Sequence, residues 1–276
     1  MITGQIKGTK LIINNISADA SLYKPETSAA IFYEVVRVID GKFLFLSDHL
    51  KRLEKSLQSS TAGGLDYPGH KRLKAALGLL ISESDIESGN VKISIYKNEE
   101  GEFRCLVHFV SHFYPSAEMY RNGVKLLSFE HTRPQPGIKK WDGDFRKRVN
   151  EFIDNRNIYE AILLKENGNI TEGSRSNIFF ITRNDEVITP PADVVLPGIT
   201  RKHIIEIIRK LHIPFRESRI NLNNISDFRA CFITGTSPKV LPVKTLDGVA
   251  YETQDPILKS IMDAFNILVE DNLELI

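Results

Sequence analysis

Between residues 161 and 189, four short apolar segments are joined by turns that are too brief to hold a helix. Ala161–Leu164 and Asn169–Ile170 flank Glu166-Asn167-Gly168, a strong hairpin signal, and Asn177–Thr182 and Glu186–Thr189 make a second hairpin. Parallel strands need crossover connections of about a dozen residues or more, which this stretch lacks. The segment therefore predicts neighbouring antiparallel strands. Together with the helices expected around it, it favours an α+β fold over a doubly wound sheet.

Alternating and helical apolar patterns predict the remaining elements. Ser47 and Asp48 are N-cap candidates for the first helix. A polar connector at residues 116–122 separates a small N-terminal α/β lobe (residues 1–115) from a larger C-terminal lobe (residues 123–276). The other expected strands are 31–38, 42–46, 91–96, 103–113, 124–129 and 230–234, and the expected helices are 47–57, 70–82, 145–158, 200–211 and 255–269.

The composition argues against several classes of protein. Lys plus Arg (36) nearly balances Asp plus Glu (35), so no global field favours nucleic acid or an anionic membrane. With only Cys105 and Cys231, a disulfide framework or a four-ligand zinc site is not expected. The N-terminus lacks a signal-peptide pattern, and the longest apolar runs fall far short of the roughly 20 residues of a membrane span. We expect a soluble cytoplasmic protein with no metal, no nucleic acid and no membrane among its partners.

Two glycine-containing segments can bind an anion. Leu196-Pro197-Gly198-Ile199-Thr200-Arg201 opens an amphipathic helix, where Gly198 permits close approach and the N–H groups of Ile199 and Thr200 can point at a phosphate. The alternative is an ordinary helix start with Thr200 as its cap. Thr234-Gly235-Thr236-Ser237 follows a short buried strand and either completes a phosphate cup or forms a simple turn.

Four charged residues stand out by their context. Glu172 interrupts a strand-like stretch and is either a solvated edge residue or a buried carboxylate that requires a cationic partner. Arg52, early on a helix, can offer a planar fork to a phosphate or lie in solvent. Lys139 and Lys140 precede Trp141 in a constrained Pro- and Gly-containing loop, although each can also be a surface charge.

An acid for a cationic ring and a helix start for a phosphate are both required by one flat cofactor, pyridoxal 5′-phosphate (PLP). This cofactor also needs a lysine amine for a Schiff base with its aldehyde. The acid keeps the ring electron-poor by pairing with the pyridinium nitrogen. The substrate carboxylate needs a cation or hydrogen-bond donor of its own. The sequence contains a candidate for each of these functions.

The ordered succession of motifs resembles the class IV aminotransferases, the fold-type IV PLP enzymes. This family includes branched-chain aminotransferases, D-amino-acid aminotransferases and aminodeoxychorismate lyase. The motifs run in family order from residue 31 to 243: Phe-Tyr-Glu-Val-Val-Arg-Val (32–38) with Asp40-Gly41, His49-x-x-Arg52-Leu53, Gly137-Ile138-Lys139, Tyr159-Glu-Ala-Ile-Leu-Leu164, Thr171-Glu-Gly-Ser-x-Ser-Asn-Ile-Phe179, Thr189-Pro-Pro191, Leu196-Pro-Gly-Ile-Thr-Arg201, and Thr234-Gly-Thr236 before Leu241-Pro-Val243.

The resemblance implies a two-lobed fold whose larger lobe has mixed sheets around a barrel-like core, and a homodimer. Lys139 matches the Schiff-base lysine because it lies 21 positions before Glu160 of the Tyr-Glu-Ala-Ile-Leu block. Glu172 matches the partner of the pyridine nitrogen. Tyr33 matches an aromatic residue that faces the substrate. The positions that match the phosphate-binding residues are Arg52, Ile199, Thr200 and Thr236.

The chain departs from the family pattern in four places. The stretch Leu22–Ala30 lacks the usual Asp-Arg-Gly…Tyr-Gly-Asp-Gly run. The Arg-x-His carboxylate trap of D-amino-acid aminotransferases is absent, so Lys97 or Arg104 substitutes for it or both are solvated turn charges. Val35 replaces a threonine typical of the lyases and favours transamination. Asp142 replaces a common asparagine and would add a negative charge near the Schiff base.

These features predict an amino-acid aminotransferase that uses PLP and a 2-keto acid co-substrate, with Arg104 as a candidate for binding the substrate. One alternative is a PLP lyase of the 4-amino-4-deoxychorismate type, which forms 4-aminobenzoate and pyruvate. The other is a non-catalytic relative.

Overall fold

The computed structural model describes residues 5–23, 30–59 and 65–276. These residues form two units. Unit 1 comprises the residues up to Phe113 together with Ile138–Trp141 and Asp271–Ile276, and unit 2 comprises Tyr114–Gly137 and Asp142–Glu270. A short segment from the middle of the chain therefore belongs to the N-terminal unit.

The described residues contain strands and helices in the mixed order expected of the α+β class, which confirms that prediction. The helices are α1 (Leu46–Gln58), α2 (His70–Glu83), α3 (Ala117–Asn122), α4 (Gly143–Arg156), α5 (Ile199–Lys210) and α6 (Pro256–Asp271). The strands are β1 (Ile6–Ile13), β2 (Ile16–Asp19), β3 (Phe32–Ile39), β4 (Lys42–Leu44), β5 (Gly89–Lys97), β6 (Phe103–Val110), β7 (Val124–Glu130), β8 (Glu160–Leu164), β9 (Asn169–Gly173), β10 (Asn177–Thr182), β11 (Val187–Thr189), β12 (Phe215–Glu217), β13 (Ile220–Asn221), β14 (Phe228–Gly235), β15 (Lys239–Leu246), β16 (Val249–Ala250) and β17 (Leu273–Glu274).

Unit 1 is built on a seven-stranded antiparallel sheet in the order β17-β4-β3-β5-β6-β1-β2. Successive side chains of a strand point to opposite faces, so every second residue of β3 and β5 enters the core. On β5 these are Val91, Ile93 and Ile95, all fully buried against apolar residues of α1 and α2 such as Leu50 and Leu77. The opposite face of the same strands carries polar side chains.

Unit 2 contains a ten-stranded mixed sheet in the order β12-β11-β10-β14-β15-β7-β8-β9-β13, with β16 paired to β15. Its central pairs β15–β7 and β7–β8 are parallel, and α4 makes the crossover between β7 and β8. Phe145, Val149 and Ile153 of α4 pack on Ala161 and Leu163 of β8. The hairpins expected between residues 161 and 189 form here as β8–β9 and β10–β11, both antiparallel.

Three local expectations differ from the structure. The connector at 116–122 is mostly helical, because Ser116 caps α3 by accepting the Met119 N–H at 3.3 Å. Ser47 and Asp48 are not N-caps: α1 begins at Leu46, after Phe45 in the left-handed conformation (φ 52°). The N-terminal strands β1 and β2 were not expected, although they extend the sheet of unit 1.

Within the described residues, no helix combines the length and apolar character needed to cross a membrane.

Candidate active site

Lys139 lies beside Tyr33 in unit 1. Residues 138–141 run alongside the start of β3, with the Tyr33 N–H donating to Lys139 O at 3.2 Å and the Trp141 N–H donating to Ile31 O at 2.8 Å. These backbone bonds anchor the lysine from both sides. The Lys139 Nζ is 4.9 Å from the centre of the Tyr33 ring. Lys139 is half-buried, whereas Lys140 is exposed, so the two lysines differ in environment although they are neighbours in sequence.

Arg52 is held by Glu34 in the core of unit 1. The Arg52 Nε donates to Glu34 Oε1 at 2.6 Å and Nη2 donates to Oε2 at 2.7 Å, while His49 Nδ1 lies 2.8 Å from Oε2. Glu34 is fully buried. Burial opposes its ionisation, but the charge and hydrogen bonds of Arg52, together with His49, outweigh burial and lower the Glu34 pKa well below its ordinary value. The arginine is thus preorganised by a buried carboxylate.

Arg104 is the second residue of β6 and pairs with Tyr96 of β5. It forms an ion pair with Glu102, and its side chain is about one-third exposed. The position is near the Asn98–Gly101 turn.

Glu172 is buried in unit 2, on β9. Its Oε2 accepts the Leu196 N–H at 3.0 Å, and its Oε1 lies 3.0 Å from Arg133 Nε. The buried carboxylate therefore has the cationic neighbour that its burial demands, and in this structure that neighbour is Arg133. Arg133 also donates from Nη2 to Ser174 O at 3.2 Å, which connects the loop before α4 to the turn after β9.

Asn177 connects Glu172 to the start of α5. Its Nδ2 donates to Leu196 O at 3.1 Å and lies 3.5 Å from Glu172 Oε2. A Cβ on Gly198 would lie only 2.0 Å from Asn177 Oδ1. Glycine is therefore required at 198 by a close approach to Asn177, and this approach fixes the helix start next to the carboxylate of Glu172.

The start of α5 fits an anion. Gly198 is the N-cap and contributes no side-chain hydrogen bond, so the alternative in which Thr200 caps the helix is not observed. Ile199 and Thr200 are buried in the first turn, where N–H groups lack intrahelical acceptors. A buried, uncapped helix start is favourable for a phosphate because both the N–H groups and the helix dipole attract negative charge.

Thr236 lies in the turn that follows β14 and is half-buried. Two residues earlier, Thr234 pairs in register with Asn177. The Thr234 Oγ1 is buried and has no hydrogen-bond partner among the residues that the structure describes. A buried hydroxyl lowers the stability of the fold unless a ligand or water molecule forms a hydrogen bond with it. This part of unit 2 therefore also fits a polar group of a ligand.

The turn after Glu172 is fixed by Glu160. The Glu160 carboxylate accepts hydrogen bonds from Ser174 Oγ at 3.2 Å, from Ser176 Oγ at 2.9 Å and from the Arg175 N–H. A Cβ on Gly173 would lie 2.1 Å from Ser176 Oγ. The Thr-Glu-Gly-Ser motif thus has a structural explanation: its small residues allow a buried carboxylate to hold the turn that presents Glu172.

Asp142 is the N-cap of α4, where its Oδ1 accepts the Phe145 N–H at 2.9 Å. This capping function explains an acid at that position. Of the atypical stretch Leu22–Ala30, residues 24–29 lie outside the described residues.

Four residues of these networks were not assigned by sequence reasoning: Glu34, Arg133, Asn177 and Glu160. For Glu34 a signal was present, because it shares the core-facing side of β3 with Phe32 and Val36, and a carboxylate at a core position requires a cation. Arg133 carries no comparable local signal, since its importance arises from contact with residues 39 and 41 positions later.

Among the predicted site residues, Lys139 and Tyr33 lie side by side in unit 1. Arg52 is in the same unit, on helix α1, which packs on the strand of Tyr33. The structure brings Glu172, Ile199 and Thr200 together in unit 2, where Thr236 follows the strand paired with Asn177. Arg104 lies at the turn end of β6 in unit 1.

The sequence model of the family described as amino-transferase class IV matches residues 31–246. A probable branched-chain-amino-acid aminotransferase of Rickettsia typhi is 30% identical over 227 residues, covering 78% of this chain and 77% of that protein. A D-alanine aminotransferase of Bacillus licheniformis is 22% identical, covering 84% and 85%.

A longer relative is the branched-chain-amino-acid aminotransferase-like protein 1 of Arabidopsis thaliana, 24% identical over 87% of this chain but only 46% of that protein. The chain thus spans less than half of the length of this relative.

Solved structures share the fold. The branched-chain amino acid aminotransferase of Escherichia coli superposes with a TM-score of 0.80 at 20% identity, covering 95% of this chain and 95% of that chain. A hypothetical aminotransferase from Mycobacterium tuberculosis in its PLP-bound form also gives 0.80, at 17% identity, covering 95% and 99%. The predicted fold-type IV architecture is confirmed by these likenesses. Because the family model matches most of its length, the chain belongs to the class IV aminotransferases.

Proposed function

We propose that this protein is a PLP-dependent transaminase that moves an amino group between an amino acid and a 2-keto acid. The observation that carries the proposal is the link between Glu172 and the uncapped start of α5 through the Leu196 N–H and Asn177. Through these contacts, a buried acid suited to a ring nitrogen lies next to a helix start whose N–H groups can bind a phosphate. Membership of the family supports the same cofactor.

PLP, when bound, supplies an electron-poor ring that makes the proton on the substrate's Cα removable. Lys139 is the residue that would be linked to the cofactor aldehyde. Its amine, once released by the incoming amino group, would accept the Cα proton and return it later. The backbone bonds on both sides of Lys139 limit the positions that its Nζ can reach, which favours a defined proton path.

The other residues hold the cofactor. Glu172 would keep the ring nitrogen protonated, because the carboxylate is already fixed by the Leu196 N–H. In unit 2, the N–H groups of Ile199 and Thr200 and the side chain of Thr236 would bind the phosphate. The resemblance to the family gives a phosphate-binding function to Arg52 as well, and the plane of its guanidinium group is set by Glu34. Tyr33 and Arg104 are proposed to contact the substrate.

The amino-acid substrate is proposed from the relatives' names. A branched-chain amino acid and D-alanine are the two candidate donors, and 2-oxoglutarate is the acceptor. The test incubates each donor with 2-oxoglutarate and detects both products, glutamate and the new keto acid. Release of pyruvate from 4-amino-4-deoxychorismate over many turnovers, without a keto-acid acceptor, would instead indicate the lyase alternative.

Borohydride reduction of the purified protein with PLP, followed by peptide mapping, tests the lysine. We expect the adduct on Lys139, none in Lys139→Ala, and an unchanged adduct in Lys140→Ala, the matched control with an exposed neighbouring lysine. An adduct on Lys140, or no adduct on any lysine, contradicts the proposal.

Replacing Glu172 with Gln tests the ring-nitrogen partner. We expect PLP to bind still, while the rate of Cα hydrogen exchange falls by about 100- to 1000-fold, the usual cost of losing one preorganised electrostatic contact. Unchanged exchange in Glu172→Gln would show that Glu172 does not act on the ring. Binding of PLP without any Cα exchange in the wild type would identify a non-catalytic relative.

We also propose a homodimer in the cytoplasm. The family resemblance supports the dimer, and two buried, unpaired cysteines suit a reducing compartment. Light scattering after size exclusion measures the mass of the assembly against the 31.3 kDa chain, and cell fractionation tests the location.

A further inference from the structure

The start of helix α1 has no capping side chain of its own, although the helix carries Arg52. The residue before it, Phe45, is in the left-handed conformation (φ 52°), and its side chain has no atom that accepts a hydrogen bond. The N–H groups of Asp48 and His49 donate to Phe45 O at 3.1 Å. The Ser47 N–H, one turn too early for an intrahelical acceptor, requires an acceptor from outside the helix.

That acceptor is Glu274, which lies in the short strand β17. Its Oε1 accepts the Ser47 N–H at 2.9 Å, and its Oε2 accepts the Ser47 hydroxyl at 2.8 Å. The two residues are 227 positions apart in the chain. A carboxylate is favourable here for two reasons: it satisfies a donor of the first turn, and its negative charge lies at the positive end of the helix dipole.

The backbone on both sides of this contact is also paired. Strand β17 is antiparallel to β4, with Glu274 opposite Phe43, and the Phe45 N–H donates to Asn272 O at 3.2 Å. Lys74 Nζ of α2 lies 3.9 Å from Glu274 Oε2, a partly exposed ion pair that contributes little by itself. Strand β17 therefore holds the chain at the point where β4 leads into α1.

The first two turns of α1 connect Ser47 to the buried carboxylate of Glu34. His49 Nδ1 lies 2.8 Å from Glu34 Oε2, and Arg52 binds both oxygens of the same carboxylate. The apolar contacts of α1 are non-directional, so they fix its position along its own axis less strictly than hydrogen bonds do. Glu34 thus holds the guanidinium group, and Glu274 holds the helix that carries it.

We propose that Glu274 is a positioning residue for the cofactor phosphate, because it holds the start of α1 and, through this helix, Arg52. The inference rests on the proposed function, since the phosphate that Arg52 would bind is that of PLP. A purely structural function of Glu274 predicts a different result. Its loss would then lower the stability of unit 1 and leave the preference for a phosphorylated cofactor unchanged.

The test compares PLP with pyridoxal, which has the same ring and aldehyde but no phosphate. Both compounds are titrated into the full chain after bound cofactor has been removed, and borohydride reduction with peptide mapping locates the adduct. The variants are Glu274→Ala, Glu274→Gln and Ser47→Ala. The matched control is Glu83→Ala, because Glu83, at the end of α2 in the same unit, accepts a hydrogen bond from Ser17 Oγ. Circular dichroism verifies that each variant is folded during the titrations.

We expect Glu274→Ala to weaken PLP binding about 3- to 30-fold, up to the usual effect of a lost helix cap, and pyridoxal binding less than about twofold. Ser47→Ala keeps the N–H contact and should weaken PLP binding about 2- to 5-fold. Glu274→Gln should retain most of the affinity, since its amide can accept the Ser47 N–H and donate to the hydroxyl. Glu83→Ala should change neither dissociation constant.

Amide hydrogen exchange measures the anchoring of the helix directly. In Glu274→Ala the Ser47 N–H should exchange about tenfold faster than in the wild type, because the first turn of α1 opens more often. The amide of Leu77, in the middle of α2, should exchange as before.

A PLP affinity of Glu274→Ala equal to that of the wild type, or an equal loss of PLP and pyridoxal binding, would overturn the inference. If Glu274→Ala does not fold, Ser47→Ala is judged by the same two criteria. If the wild type forms no adduct with PLP on Lys139, the proposed function fails instead. Titration with inorganic phosphate then decides the inference by itself: weaker phosphate binding in Glu274→Ala supports it, and equal binding or none overturns it.

Discussion

The guanidinium group of Arg52 forms a bidentate ion pair with the fully buried carboxylate of Glu34, with N···O distances of 2.6 and 2.7 Å. The pair joins α1 to the core-facing side of β3, 18 positions earlier. Because Nε and Nη2 both bind Glu34, the plane of the guanidinium group is set.

Replacing Glu34 with Gln should damage both stability and cofactor binding. The variant leaves a largely buried arginine without its counter-charge, which typically costs about 3–5 kcal/mol, and we expect the PLP dissociation constant to rise about tenfold or more. Urea denaturation and PLP titration measure the two effects. The control is Glu186→Gln, which breaks the exposed pair with Arg216 and should cost less than about 1 kcal/mol. If both variants lost the same free energy of unfolding, burial of the Glu34–Arg52 pair would not be what makes it stabilising.

Acidification should destabilise the protein in two stages. Burial lowers the pKa of His49 below its ordinary 6.5. Burial would raise the pKa of Glu34, but Arg52 and His49 lower it by more, so it lies below its ordinary 4.5. In both cases the unfolded chain takes up the proton first, so stability is complete above the ordinary pKa and is lost as the pH falls below it. The free energy of unfolding should therefore decrease below about pH 6.5 from His49 and further below about pH 4.5 from Glu34.

In the variant His49→Asn, the free energy of unfolding should decrease less between about pH 8 and pH 5 than it does in the wild type. Urea denaturation at several pH values measures this difference. Part of the decrease will remain, because burial and the charge of Arg133 also lower the pKa of His131. A pH profile that is identical in the variant and the wild type would show that the pKa of His49 is the same in the folded and the unfolded protein.

Alanine at two glycines should have opposite effects. At Gly198 the added Cβ would approach Asn177 Oδ1 to 2.0 Å, so we expect a loss of about 1–3 kcal/mol and weaker phosphate binding as the start of α5 shifts. At Gly78, within α2, nothing lies within 4 Å of the added Cβ, so Gly78→Ala should stabilise the helix by about 0.5–1 kcal/mol. Thermal melts and titration with inorganic phosphate distinguish the two.

Neither cysteine should react with a thiol reagent while the protein is folded. Burial raises the pKa of Cys105 to about 11 and that of Cys231 well above its ordinary value, so little thiolate exists near neutral pH. Both side chains are also inaccessible. A thiol-labelling time course should give no modification in buffer and two modified cysteines in denaturant. Rapid labelling of the folded protein would indicate local opening at β6 or β14.

Local patterns predicted much of the architecture because they depend on neighbours in the chain. The Asn167-Gly168 turn and the period-two strands around it formed the expected hairpins, and the apolar periodicity placed α2, α5 and α6 to within one or two residues. The start of α1 was placed differently because the left-handed Phe45, and not a polar cap, precedes it. Such a conformation is stabilised by packing, which no capping rule describes.

By itself, the sequence determined the α+β class and, through the ordered motifs, the family and the residue types that a PLP site requires. Only the tertiary structure decided which charges are buried together: Glu34 with Arg52, Glu172 with Arg133, and Lys92 with Tyr33 and Trp141. It also assigned Ile138–Trp141 to the N-terminal unit. The reason is physical. Hairpins and helices arise from interactions between near neighbours, whereas the partner of a buried charge is set by strand register and packing between residues far apart in the chain.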